Sequence, residues 1–460
     1  MNLEIYKNIY FVGIGGIGMS SLARYFNNRD INVSGYDKFE SDLCKDLERE
    51  GIDIHYFDEV QNISNIVVQN KHESLIVYTP AISSDNKEIS FFRSNNFTML
   101  KRSELLSLIT EKNFTIAVAG THGKTTTSTM ISHILSNSDM NCTSFLGGIS
   151  VNYNSNFISS TSNSEEKIFV VEADEFDRSF LNLQPNIAII TSIDMDHTDI
   201  YKDQNSLFEA FCNFSNKIKP GGTLFLEENV DTSIFTRDDI SIIKYSTELP
   251  THCYAKDISF NFGEMCFDVV YKDIEIKNFR LKMGGNYNVN NAVAAISISK
   301  YLGLENHDIV TGMNTFLGIK RRFNIHINNR DIVFIDDYAH HPSEIEQVIL
   351  SVREMFPNRE ITVVFQPHLY TRTRDFADDF ARTLSLSDNL ILLDIFEARE
   401  LPITGVDANL ILDKCELEDK ELTKMIDAVE LISNKKIDVL LTLGAGNIGD
   451  LVKPIKDLLL

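Results

Sequence analysis

The segment FTIAVAGTHGKTTT, residues 114–127, constrains the fold more than any other stretch of this 460-residue chain. A run of strand character leads without a break into Gly120, Gly123, Lys124 and Thr125, and a Ser/Thr-rich helix start follows. A strand that turns through glycines straight into a helix belongs to a parallel α/β unit, because the next parallel strand can be reached only by a crossover. The same residues carry chemistry. Glycines let backbone N–H groups approach phosphate oxygens, the helix N-terminus favours negative charge, a lysine reaches the β- and γ-phosphates, and a threonine hydroxyl ligates magnesium. The usual G-x-x-x-x-G-K-[ST] spacing would put glycine at Val118, so this loop is a short variant in which Gly120 lies three residues before Gly123.

Such a loop needs a metal-holding acid on a neighbouring strand. The apolar run 168–171 ends in Glu172, within FVVEADEFD, and that carboxylate is the candidate; Asp174, Glu175 and Asp177 read as solvated or helix-capping. The next strand, IAIITSID, leads to Asp194, Asp196 and His197, where the histidine reads either as a second metal ligand or as a turn residue.

The strand–turn–helix arrangement recurs in three blocks. In the first, strands are expected at 8–12, 31–35, 63–68 and 74–79, with a helix over 19–26. The second has strands at 114–119, 167–171 and 186–191. The third has strands at 331–335, 360–365, 389–393 and 438–443. Residues 150–166 read as a polar surface loop or hairpin, and 251–282 alternate as antiparallel strands appended to the middle block.

Gly13, Gly15 and Gly18 form G-x-G-x-x-G after a strand, with Asp37 nineteen residues beyond Gly18. The pattern asks for a diphosphate on a helix N-terminus and an acid near a ribose, which an NAD or a UDP-sugar equally presents. A second match, Gly444, Gly446 and Gly449, is followed by only eleven residues and reads as a packing turn. Two basic clusters, Lys320–Arg321–Arg322 and His368 with Arg372 and Arg374, suit carboxylate or phosphate but equally suit surface ion pairs. Asp336, Asp337, Tyr338, His340 and His341 in IDDYAHHPSEI gather acids and histidines at a strand end, as a site would.

Forty-three Lys and Arg against 66 Asp and Glu give a net charge of −23, which argues against nucleic-acid partners and anionic membrane surfaces. The first residues are too interrupted by polar positions for a signal peptide or membrane anchor. Six widely spaced cysteines without a C-x-x-C pair read as reduced thiols, so a cytoplasmic location is expected.

The motifs AGTHGKTTT, VEADEFDRSFL, GGNYNVNNAVAA, GIKRRF, DDYAHHPSEI and FQPHLYTRTRDF occur in this order, and together they resemble the Mur ligase family over essentially the whole chain. The resemblance implies an α/β protein of three domains: a Rossmann-like UDP-sugar binder at 1–110, a central P-loop ATPase-like α/β domain at 111–319, and a Rossmann-like C-terminal ligase domain at 320–460 that closes over the site. It implies ATP and Mg2+ as cofactors. Gly120, Thr121, Gly123, Lys124, Thr125, Thr126, Asn288, Asn291, Arg322 and Asp336 would bind ATP, while Thr125, Glu172 and His197 would hold the metal. Gly13, Gly15, Gly16, Gly18, Asp37, Tyr338, His340, His368 and Arg372 would bind substrate, with Lys124, His340, His368 and Arg372 acting in catalysis. The family often has Arg directly after the histidine of F-Q-P-H, where this chain has Leu369. The opening GIGGIGM and the HH and TRTRD segments point within the family to L-alanine and UDP-N-acetylmuramate as substrates, joined through an acyl phosphate. A monomer or weak homodimer is expected. The competing readings are a ligase adding a tripeptide to the same nucleotide, an NAD-dependent oxidoreductase, and a nucleotide-gated binding protein.

Overall fold

The computed structural model describes the chain apart from residues 84, 161–166, 195–199, 262 and 399. Contacts gather it into two compact units, one formed by Met1–Tyr254, Val270–Glu275 and Asn291–Met313, the other by Ala255–Val269, Ile276–Asn290 and Asn314–Leu460.

The first unit holds two sheets. One has five parallel strands in the order Asp53–His55, Asn32–Tyr36, Asn8–Val12, Ser74–Tyr78 and Thr98–Lys101. Asn8–Val12 is buried along its whole length, as a strand covered on both faces must be, and its apolar run is therefore continuous. The strand expected at 63–68 is instead a helix, Asn65–Gln69, after a short turn. Ile63 and Val67 are buried while Ile66 and Val68 are exposed, so the apolar spacing that matters is four residues, a helical face.

In the second sheet, the part within this unit runs Ser241–Ser246, Thr223–Glu227, Ile187–Ile190, Phe114–Ala119, Lys167–Glu172, Asn141–Ser150 and Ser155–Ser159. All neighbours are parallel except the last pair, which forms a hairpin. The hairpin arm comes from the polar segment read as loop or hairpin, but it is no surface feature: Asn156, Phe157 and Ile158 are buried. The Asn156 amide donates to the Ile17 carbonyl at 2.5 Å and to Ser20 Oγ at 2.9 Å, and its oxygen accepts from Arg24. Tyr25 packs beside Phe145, Phe157 and Phe169. Helix Ile17–Asn27, which follows the first glycine turn, is thereby bonded to the sheet that carries the loop of residues 120–125.

The second unit contains a six-stranded sheet ordered Asn324–Asn328, Val333–Asp337, Val439–Leu443, Ile361–Phe365, Asn389–Leu393 and Asp419–Thr423. Only Asn324–Asn328 runs antiparallel to its neighbour. Cys253–Asn261, Glu264–Tyr271 and Ile274–Leu281 are strands with alternating burial, as residues 251–282 predict. The six cysteines are all free thiols.

A polar cluster lies inside the first fold. Tyr10 Oη donates to Glu88 Oε2 at 2.7 Å and lies 2.7 Å from His55 Nε2, and Glu88 is fully buried. Burial pushes the Glu88 carboxyl up to about 7, against the opposing Tyr10 hydrogen bond. An acid whose folded pKa is raised binds a proton more tightly when folded, so its contribution to stability falls as pH rises from its ordinary range to about 7. Glu88→Gln keeps an acceptor for Tyr10 and removes the titration. We expect this variant to gain stability over wild type between about pH 5 and pH 8, read as a shift in denaturation midpoint; parallel pH profiles for the two proteins would contradict it.

Candidate active site

The glycine-rich loop of residues 120–125 sits at the C-terminal ends of adjacent parallel strands. Val118 is in register with Glu172 and Ala119 with Ile190, so the strands on both sides deliver their next residues to the loop's mouth. Gly120 and Gly123 have φ of 130° and 78°, conformations that side-chain-bearing residues rarely adopt. Space is also short. A Cβ on Gly120 would lie 2.9 Å from the Thr191 amide nitrogen and closer still to its hydroxyl, and one on Gly123 would lie 3.3 Å from Asn291 Cγ and closer still to Oδ1. Gly123 is the N-cap of helix Lys124–Ser136 and has no side chain to occupy the first N–H groups. Asn291 Oδ1 accepts from Thr127 Oγ1 at 3.2 Å, and Thr121 Oγ1 lies 2.8 Å from Ser192 Oγ and accepts from the Asp194 amide at 3.0 Å. Thr126 is buried on the same helix.

Thr125 Oγ1 donates to Glu172 Oε2 at 2.9 Å, and the Gly147 amide donates to the same oxygen at 2.9 Å. A Cβ on Gly147 would lie 2.6 Å from Glu172 Cδ and closer still to Oε2, so only glycine leaves room for the carboxylate in this place. Thr125 and Glu172 supply two oxygen donors beside the loop. Among the described residues no three His, Cys, Asp or Glu side chains converge as a metal-binding group. Two protein oxygens next to a loop suited to phosphate would fit a magnesium ion, which keeps several waters and takes its other ligands from phosphate. His197 and Asp196 lie outside the described residues.

Lys124 Nζ lies 3.0 and 2.9 Å from the two carboxylate oxygens of Glu175 and donates to the Gly120 carbonyl at 2.7 Å. Burial works against the ammonium, but Glu175, Asp174 and Glu172 outweigh it and hold the lysine pKa above its ordinary value. Burial raises the Asp174 pKa, with Lys124 opposing. Glu175, read from sequence as solvated or capping, is instead completely buried and is the loop lysine's partner. Sequence reasoning also missed Gly147; a close approach to an acid from another strand leaves no local signature.

At the first glycine turn, Gly16 is the extended N-cap of helix Ile17–Asn27 and makes no side-chain cap bond. The Gly15 amide donates to Asp37 Oδ2 at 2.8 Å, so the acid at the end of the second strand reaches the turn itself. Gly13, Gly15, Gly16, Gly18 and Asp37 thus share one mouth.

In the second unit, the acids and histidines gather at the C-terminal ends of Val333–Asp337 and Ile361–Phe365. Asp336, 1% exposed, accepts from Thr442 Oγ1 at 2.9 Å and lies 3.5 Å from Arg321 Nε; burial raises its pKa, with Arg321 opposing. Asp337 accepts from the Phe323 and Ala339 amides at 2.6 and 2.7 Å, and burial pushes it up to about 6. Arg321 and Arg322 both lie over the Tyr338 ring at 5.2 Å. Arg321 also donates to the Gly444 and Gly446 carbonyls, which fits the packing-turn reading of that glycine run. His340 Nδ1 lies 3.0 Å from the Tyr338 carbonyl oxygen, its ring is 6.0 Å from that of His368, and burial lowers its pKa with Glu344 opposing. Arg372 Nη1 is buried with no hydrogen-bond partner among the described residues. Leu369 has φ of 72° and ends in a buried position, so this departure from the family pattern is an apolar side chain on a strained turn. Asn288, three residues before Asn291 on the helix Asn286–Tyr301, donates to the Gly284 carbonyl at 2.7 Å.

Comparison with known proteins gives this geometry a family. The Mur ligase family catalytic domain model matches residues 8–113, the Mur ligase middle domain 118–299, and the Mur ligase glutamate ligase domain 321–446. A UDP-N-acetylmuramate–L-alanine ligase from Parabacteroides distasonis is 44% identical over 459 residues, covering 100% of this chain and 98% of its own. Another from Christiangramia forsetii is 42% identical, covering 100% and 99%. The solved UDP-N-acetylmuramate–alanine ligase of Thermotoga maritima superposes with a TM-score of 0.81 at 26% identity, covering 98% of each chain. Three consecutive domain models and relatives aligned end to end leave one assignment for a chain with this loop, this acid and these three sheets: it belongs to the Mur ligase family.

Proposed function

We propose that this chain joins L-alanine to the lactyl carboxylate of UDP-N-acetylmuramate, converting ATP to ADP and phosphate, in cytoplasmic peptidoglycan precursor synthesis. The observation that carries the reading is the corner formed by Lys124, Thr125 and Glu172, within a chain that matches UDP-N-acetylmuramate–L-alanine ligases along its length.

The lactyl carboxylate attacks the γ-phosphorus, the bond to the β–γ bridging oxygen breaks, and an acyl phosphate and ADP result. The alanine amine then attacks the acyl carbon, and phosphate leaves as the amide forms. Phosphoryl transfer of this kind depends on positioning and on charge, with little covalent work for the protein. A magnesium ion held by Thr125 and Glu172, with His197 as a further ligand, would add positive charge at the terminal phosphates. Against burial, Glu175, Asp174 and Glu172 hold the Lys124 pKa above its ordinary value, and its ammonium neutralises charge moving onto the leaving oxygen. The loop amides from Gly120 to Thr126 cradle the triphosphate, and Asn288 and Asn291 are assigned to the adenine. Arg322 and Asp336 are assigned to phosphate and ribose.

The amine must arrive deprotonated. His340, whose pKa is lowered by burial, is neutral at neutral pH and can accept that proton. Tyr338, His368 and Arg372 are assigned to the amino acid and the muramyl carboxylate. The glycines of the first turn and Asp37 take the UDP-sugar. We expect phosphate release from ATP and UDP-N-acetylmuramate to depend on L-alanine. Release dependent on a tripeptide would select the peptide-adding reading, and no release with either would overturn ligation.

A further inference from the structure

One cation between the two nucleotide-binding turns has no place in the assignments above. Arg102 opens helix Arg102–Thr110, whose start is fixed by the Lys101 amide donating to Glu104 at 2.7 Å. The helix is tied to the central part of the unit by Ser107 Oγ donating to the Asn182 carbonyl at 2.6 Å and Asn182 donating to Ser103 at 3.1 Å. The guanidinium, half-buried, lies against Gly18, where a Cβ would come within 3.0 Å of both Arg102 Cδ and Nη1. Glycine here makes room for an arginine over the first turn of the helix that follows the glycine-rich loop.

On its other side Arg102 lines a small cavity together with Ser103, Glu172, Asp174 and Ser179. It is within electrostatic reach of Asp174. Yet among the described residues its five N–H donors make no hydrogen bond. A guanidinium held on a fixed helix and left without hydrogen bonds is suited to an oxyanion arriving from outside.

We propose that Arg102 is a substrate-binding residue that grips the diphosphate of the UDP-sugar, on the side facing the Glu172 corner. The proposal rests on the reading that the first glycine turn holds that diphosphate. One cation, fixed by a helix bonded to both parts of the unit, sets the sugar's anionic end beside the wall that carries Glu172.

The test is binding of UDP-N-acetylmuramate, UDP and UMP to the full-length protein by titration calorimetry, with the KM for ATP measured alongside. Arg102→Met keeps the apolar stem and removes the charge. We expect it to weaken UDP-N-acetylmuramate and UDP by roughly tenfold or more while UMP changes by less than about twofold, with Arg102→Lys recovering part of the loss and the KM for ATP unchanged. UDP binding at wild-type strength in Arg102→Met would overturn the proposal. Loss confined to UDP-N-acetylmuramate would place the guanidinium on the lactyl carboxylate instead, and a raised KM for ATP alone would make it a counter-charge for Asp174; either result overturns the diphosphate role. Gly16→Val separates the underlying reading. Its backbone, φ −64° and ψ 142°, accepts any residue, and its Cβ would meet nothing closer than 3.5 Å. Wild-type UDP-sugar binding in that variant would overturn the glycine-turn reading itself, whatever Arg102 does.

Discussion

Lys124→Ala is expected to lower alanine-dependent phosphate release by at least about a hundredfold, the scale on which one charge-stabilising donor is lost from a transition state. UDP-N-acetylmuramate binding should stay within about twofold, since the lysine is assigned to ATP alone. The structure adds a second effect. Lys124 is the partner of a fully buried carboxylate, Glu175, at 2.9 Å. Removing one member of a buried pair leaves the other charge uncompensated, at a cost of about 3–5 kcal/mol. The single variant should therefore melt early as well as fail in catalysis. Lys124→Ala combined with Glu175→Gln removes the stranded charge, so it should recover most of the melting temperature without recovering turnover. Near-normal phosphate release in either variant would contradict the assigned role. Recovery of turnover in the double variant would mean that the single one had only unfolded.

That pairing also shows where the residues themselves are legible and where they are not. Strands 8–12, 114–119 and 389–393 read correctly to the residue, because each is a buried apolar run bounded by glycine or polar turns. The short edge strands Asp53–His55 and Thr98–Lys101 do not read, since an exposed edge tolerates polar side chains and loses the pattern. Asn141–Ser150 also escapes, because Gly147 and Gly148 interrupt a run of small and polar residues. Within the site, the glycine-lysine-threonine loop and Glu172 announce themselves through spacing. Glu175 stands three residues from Glu172 in an acidic run, and composition cannot say which of the acids is buried; the turn after Glu172 decides it by folding Glu175 under the loop. Arg321 and Arg322 are equivalent in sequence, yet a φ of 61° at Arg321 turns that guanidinium toward Asp336. Such choices belong to backbone conformation and to strand register, which are set by the whole sheet.

Gly147→Ala provides the sharpest check on the proposed metal-holding role of Thr125 and Glu172, because it changes a residue with no side-chain chemistry. The added methyl would lie 2.6 Å from Glu172 Cδ, far inside van der Waals contact. Gly147 belongs to strand Asn141–Ser150, whose pairing with Lys167–Glu172 runs from Asn141 to Phe145 and anchors it. Gly147 itself lies where the hairpin register is irregular, between Phe145 and Ser150, and the group a Cβ there would meet is the end of the Glu172 side chain, which is free to give way. Rotating that carboxylate aside breaks its bonds to Thr125 Oγ1 and to the Gly147 amide together. The fold should survive, since the clash is relieved at a flexible end, while the oxygen pair assigned to the metal is lost. We expect kcat/KM for ATP to fall by roughly a hundredfold, with magnesium titration shifted to higher concentration, because misplacing a charge-stabilising group costs on that scale. Circular dichroism and UDP-N-acetylmuramate binding should match wild type. The magnesium shift separates the two explanations for lost activity: a variant that is merely unstable would lose active protein at every magnesium concentration alike, whereas a displaced Glu172 would be partly offset by excess metal. Full activity in Gly147→Ala would show that the carboxylate can do its work from elsewhere, and the Thr125–Glu172 pair would lose its place in the mechanism.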